Sequence, residues 1–139
     1  MGTYSGDRKG TVHEFRRILQ KHKSMETRTT QKPKPVAVSS RFKDSYNKVY
    51  KQGLSLFGVF QAERYADNID YLLYKLGFMY PYYPECRHLA TKSRMYRNII
   101  LDAHLIIYRI TPNRIEVLDI VHSASSLRRI RLTRNIRIE

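Results

Sequence analysis

Between Tyr96 and His122 the chain is almost continuously apolar and β-branched, cut twice by polar punctuation at Asp102-Ala103 and Thr111-Pro112-Asn113. Runs of this composition bounded by turn residues predict strands, here over 87–91, 94–101, 104–110 and 114–122, joined by hairpin connections. Upstream the period changes. Phe42, Tyr46, Val49, Tyr50, Leu54 and Phe57 recur at helical spacing and predict one buried helix face over 42–57. Gly58 breaks the pattern. Ala62, Ala66, Ile69, Leu72, Leu73 and Leu76 share a second face, with Gly77 just past its end and Glu63, Asp67, Asp70 and Lys75 directed to solvent.

Two helices joined at Gly58 predict an antiparallel helical hairpin. Val36 to Ser40, set off by Pro33 and Pro35, reads as a short first strand, and Tyr80-Pro81-Tyr82-Tyr83-Pro84 as an aromatic loop. Ser125 to Arg131 forms a last helical turn. The order is β-α-α-β-β-β(β), an α+β fold with the hairpin packed on one face of a small, mostly antiparallel sheet.

The ends differ from this body. Residues 1–34 form a basic N-terminal extension, in which Val12 to Lys23 has helical spacing and Ser24 to Pro35 reads as a linker. Met25 offers a second start, so residues 1–24 are expected to be dispensable or an over-read start. Residues 35–131 form the domain and 132–139 a basic C-terminal tail. One domain of this size needs no covalent staple. A single cysteine, Cys86, allows no intrachain disulfide and no cysteine-based zinc site.

Charge narrows the partners. The formal net charge is +14, which favours polyanions or an acidic protein. The charge clusters: Lys92, Arg94 and Arg97 lie together, and Arg128, Arg129, Arg131, Arg134 and Arg137 crowd the last dozen residues. No apolar run approaches a membrane span and no secretory signal is visible, so the expectation is a cytoplasmic protein without a membrane partner.

Catalytic templates are lacking. There is no phosphate-binding glycine loop, nucleophile elbow or His-Glu-x-x-His, the five histidines lack metal-ligand spacing, and no cofactor or metal is implied. What remains is Arg, His and Tyr on a sheet. Strand alternation sets Arg94, Tyr96 and Asn98 on one face, and Arg97 and Ile99 on the other. An Arg in an apolar ribbon is held by a carboxylate, such as Asp102 or Asp119, or by a phosphate ligand. With Arg97 as phosphate clamp and His122 as general acid or base, such a set could cleave RNA without metal. Lys92, Arg94, Tyr108, Arg128, Arg129 and Arg131 are candidate contacts to nucleic acid or another target. Tyr80, Tyr82 and Tyr83 could stack bases.

The residues Tyr96-Arg97, Leu105-Ile106-Ile107-Tyr108-Arg109-Ile110 and Arg114-Ile115-Glu116-Val117-Leu118-Asp119-Ile120-Val121-His122 resemble the RelE/ParE superfamily of bacterial type II toxins, over about residues 36–131. The resemblance implies a growth-inhibiting toxin paired with a small acidic antitoxin in a hetero-oligomer. RelE-like members cleave mRNA on the ribosome, often with a C-terminal Tyr; ParE-like members act on DNA gyrase without that nuclease set. Here Ser123-Ala124-Ser125-Ser126 follows His122 and no Tyr follows Tyr108. Both targets stay open at this level, as does a non-toxic basic module binding nucleic acid or protein.

Overall fold

The computed structural model describes residues 32–139. The expected helix at Val12 to Lys23, the alternative start at Met25 and most of the extension lie outside the described residues.

The chain enters through β1 (Val36–Val38) and runs into a long helical stretch, α1 (Ser40–Met79). Ser39 caps α1: its Oγ accepts from Phe42 N at 2.8 Å and donates to Leu118 O at 2.5 Å, which ties the cap to the sheet. Gly58, at φ 87 and ψ 174, divides α1 into two arms. That conformation is open essentially only to glycine. The arms converge at Gly53, where an added Cβ would already sit 3.4 Å from Ala62 Cβ.

Three strands follow: β2 (Tyr96–Ile100), β3 (His104–Ile110) and β4 (Ile115–His122). The sheet order is β1-β4-β3-β2, with β1 parallel to β4 and the other neighbours antiparallel. The expected α+β architecture and mostly antiparallel sheet are therefore present.

Two cores sandwich the sheet. On one face Phe42, Tyr46, Tyr50, Ala62, Ala66, Ile69, Leu73 and Leu76 of α1 pack on Ile99, Ile106, Tyr108, Ile115, Val117 and Ile120. On the other, Ile107, Leu118 and Val121 are covered by Cys86, Leu89 and Ile130, with Ile136 and Ile138 alongside. The second cover comes from α2 (Leu127–Leu132), which matches the expected last turn, and from the residues after it. The 132–139 segment thus lies against the sheet. A strand covered on both faces reads as a continuous apolar run, which is why β4 is buried from Ile115 to Val121.

Four details depart from the sequence pattern. The strand expected at 87–91, after the helices, is instead a 3₁₀ turn (Arg87–Leu89), because Cys86 and Leu89 bury themselves at a spacing of three rather than two. The strand expected from 94 begins at Tyr96, since Arg94 closes a turn at φ 56, so Arg94 does not share a strand face with Tyr96. Phe57 is 69% exposed: the hairpin tip, with Leu56, Val59 and Phe60, has no sheet beneath it. Glu63 and Asp70 are not simply solvated, because they accept from the hydroxyls of Tyr50 and Tyr46 across the hairpin, the latter at 2.7 Å.

A β-bulge shifts the register between β3 and β4: Ile107 aligns with Asp119 and Tyr108 with Val117, which leaves Leu118 extra. Parity along β4 therefore reverses, so Val117 and Ile120 both reach the helical core.

Candidate functional site

Arg97 lies on β2 opposite Tyr108. Its guanidinium meets no carboxylate among the described residues. Nε donates to Arg94 O at 2.7 Å, and Nη1 donates to Pro81 O at 3.1 Å and Tyr83 O at 2.8 Å. The carboxylate alternative does not describe this arrangement; the arginine clasps the backbone of the aromatic loop. That loop begins as a 3₁₀ turn (Tyr80–Tyr82) and lies over Tyr108.

Tyr108 is fully buried, donates its hydroxyl to Tyr80 O at 2.7 Å and meets the Tyr83 ring edge-on. Burial raises its pKa well above the usual phenol range, with Arg97 opposing. As a target contact Tyr108 is out of reach, because no part of its side chain meets solvent. Tyr80 is likewise buried, whereas Tyr82 is 60% exposed.

His122 ends β4, directly opposite His104. The two rings stand edge to face with centroids 5.4 Å apart. His104 Nδ1 shares a 2.7 Å hydrogen bond with Tyr65 Oη, and Ala124 N donates to His122 Nδ1 at 3.0 Å. Burial first, then the neighbouring His122, lowers the His104 pKa, which favours neutral imidazole. These rings, with Tyr65 and Asp102, close one end of a cleft of about 380 Å³ whose walls are Tyr46, Tyr50, Gly53, Leu56 and Phe57 of α1. Among the described residues no arginine or lysine lines it.

Arg97 and His122 do not share a site. Arg97 aligns through Tyr108 with Val117, and His122 lies at the far end of β4 from there. At ~3.3 Å per residue along the strand they stand roughly 15 Å or more apart.

The sequence reading passed over a third cluster. Arg109 and Arg114 flank Glu116, with Arg109 Nη2 2.5 Å and Arg114 Nη2 2.8 Å from its two oxygens. Burial alone would raise the Glu116 pKa, but hydrogen bonds from both arginines outweigh it and hold the carboxyl below its ordinary range. Arg109 also donates to Ile136 O at 3.0 Å, and Arg114 to Ile138 O at 2.7 Å. Opposite charges at positions symmetric about the Pro112-Asn113 turn were the available signal.

The remaining expected contacts are surface groups. Lys92 and Arg94 lie on the exposed Thr91–Arg94 turn, where Arg94 Nε is 3.6 Å from Glu85. Arg128, Arg129 and Arg131 project from α2, all exposed, on the side of the sheet opposite the hairpin. The cationic surface and the histidine cleft are therefore separate places.

A helical hairpin over one face of a β1-β4-β3-β2 sheet, with exposed cations on the other side, frames these groups. The family described as "ParE toxin of type II toxin-antitoxin system, parDE" matches residues 36–127, and the chain belongs to it. Among solved structures, the chain is similar to a protein of the chromosomal ParDE TA system from P. aeruginosa. The TM-score is 0.53 and the identity 13%, over 64% of this chain and 95% of that one, so this likeness speaks to the fold. No curated protein matches the chain. Among the described residues no helix is long and apolar enough to cross a membrane.

Proposed function

We propose that this ParE-family chain is a cytoplasmic, growth-inhibiting toxin held in check by a cognate antitoxin, and that it acts by binding DNA gyrase without catalysis of its own. The observation that carries this reading is the separation of Arg97 from His122. Metal-free cleavage of RNA needs a phosphate clamp and an acid or base at one phosphate, within hydrogen-bond reach. Arg97 is engaged by three carbonyls at one end of the sheet, and His122 pairs with His104 in an apolar cleft at the other. Among the described residues no cation lines the cleft beside the two imidazoles to stabilise a pentavalent phosphate. A toxin that blocks an enzyme by occupying it needs only an exposed surface, and cationic side chains supply one.

The test is pulse-labelling of bacteria in the first minutes after induction of the full chain. Early loss of thymidine incorporation is expected. Early loss of amino-acid incorporation, with thymidine spared, would replace this reading with ribosome-dependent cleavage. No loss of either would leave a non-toxic binding module.

A further inference from the structure

The sheet face opposite the hairpin is covered by a strap that turns its apolar side inward and its cations outward. Ile130, Ile136 and Ile138 pack on Cys86, Leu89, Ile107, Leu118 and Val121. Outward stand Arg128 and Arg131 of α2, Arg134 of the following 3₁₀ turn (Thr133–Asn135), and Arg137, all exposed. Arg128, Arg131 and Arg134 recur at every third residue through α2 and the 3₁₀ turn, so successive side chains are neighbours, and Arg137 follows the extended Ile136. Arg87 adds a further exposed cation on the turn that packs against α2. The strap is held in place by the donors of Arg109 and Arg114 to Ile136 O and Ile138 O, so the row sits on a fixed backbone.

Three nearby carboxylates are already engaged. Glu116 is buried between Arg109 and Arg114, Glu85 faces Arg94, and Asp119 is buried, with Arg129 and Arg41 both acting on it. Glu139 is exposed two residues beyond Arg137, so a carboxylate stands beside the far end of the row and not beside Arg128, Arg131 or Arg134.

We propose that Arg128, Arg131, Arg134 and Arg137 form a docking face for duplex DNA, gripping backbone phosphates without reading bases. A duplex is the polyanion of highest linear charge density among ordinary partners, and arginine's planar fork suits phosphate. Single-stranded RNA is the poorer fit, because its recognition leans on stacking. The exposed aromatic rings, Phe57, Phe60, Tyr71 and Tyr82, are on the hairpin and the aromatic loop. An acidic protein is also the poorer fit. Protein interfaces centre on a packed apolar anchor, and the strap's isoleucines are turned inward, which leaves Leu127 and Leu132 at the two ends of α2. This face goes beyond the toxin reading and does not depend on the identity of the toxin's target.

The experiment is fluorescence anisotropy of a labelled short duplex titrated with the full chain at several salt concentrations. Two sets of substitutions remove equal charge: Arg128→Gln, Arg131→Gln, Arg134→Gln and Arg137→Gln on the strap, against Lys43→Gln, Lys48→Gln, Lys51→Gln and Arg64→Gln on exposed positions of the hairpin. The strap set is expected to weaken binding more than about tenfold at moderate salt and to flatten the slope of log K against log salt by about 3.6, since each phosphate no longer neutralised lowers it by about 0.9. The hairpin set should leave that slope unchanged. Equal losses from both sets would reduce the effect to net charge and overturn the proposal. So would absent binding, or competition by polyglutamate or single-stranded RNA as strong as by unlabelled duplex. Unchanged thermal midpoints confirm that each set folds.

Discussion

Arg109 and Glu116 stand directly opposite each other on β3 and β4, and their charged groups meet at 2.5 Å with both side chains about nine-tenths buried. This pair, with Arg114, joins the β3–β4 strand pair to the C-terminal strap. Burial would push Arg109 toward losing its proton, but its bonds to Tyr96 and Glu116 raise its pKa on balance.

Glu116→Gln would leave two guanidinium groups without a counter-ion on the second sheet face. Breaking a buried pair from one side costs about 3–5 kcal/mol, and chemical denaturation should register a loss of that order. The pH dependence has a definite sign. The folded carboxyl is held below its ordinary range, so its contribution is complete above about pH 4.3 and disappears as pH falls through the lower folded value. The variant should lack this acid-induced loss, and Ile136 and Ile138 amides should exchange faster. A variant as stable as the parent would remove the pair from the structural account.

Arg97→Ala takes three charge-assisted bonds from the aromatic loop. Each is worth ~1–3 kcal/mol, and partial replacement by water leaves a net loss of about 2–4 kcal/mol. Growth inhibition should fall in step with the amount of folded protein. Full stability by circular dichroism combined with lost toxicity would instead place Arg97 in direct contact with a target.

His122→Gln separates the two modes of action. Under non-catalytic binding, growth inhibition should persist within a few-fold and show no new pH profile. A large loss of mRNA cleavage with a flattened profile near neutrality would restore His122 as an acid or base.

His104 sets a second pH signature. Its folded pKa is lowered by burial and by His122, so the neutral ring is the stabilised form. Stability from this group is complete above about pH 6.5, the unfolded value, and declines as pH falls below it. His104→Gln should abolish that decline while keeping a partner for Tyr65. An unaltered pH–stability curve would show that the ring titrates alike in both states.

Gly58→Ala tests the break in α1. A side chain at φ 87, ψ 174 costs about 1–3 kcal/mol. The unfolding midpoint should shift accordingly, although open space surrounds the added methyl group. No shift would mean that the arms reorient without cost.

The hairpin was legible because its helical period repeats through Phe42, Tyr46 and Tyr50, then Ala62, Ala66, Ile69, Leu73 and Leu76, all buried. β3 and β4 were legible because turn residues bound long β-branched runs. Residues 87–91 misled because their apolar density resembles a strand, while only packing against α2 shows that Cys86 and Leu89 point the same way. Phe57 obeyed the helical period at a place where the sheet had ended.

The candidate residues were legible as types rather than as a site. Sequence named Arg97 and His122, and charge clustering named the arginines of α2. Tyr65 and His104 are far apart along the chain, and nothing local announces their 2.7 Å bond.

By itself, then, the sequence determined the order of the helices and of the four strands of the sheet, their boundaries within a few residues, the two helix faces and the cationic end. These follow from local periodicity and turn chemistry, which act over a few residues. Tertiary structure alone decided that Arg97 clasps carbonyls, that Tyr108 is sealed, that His122 faces His104, and that the tail covers the second sheet face. Those outcomes depend on strand register and on a one-residue bulge, which move side chains from face to face without changing the pattern read along the chain.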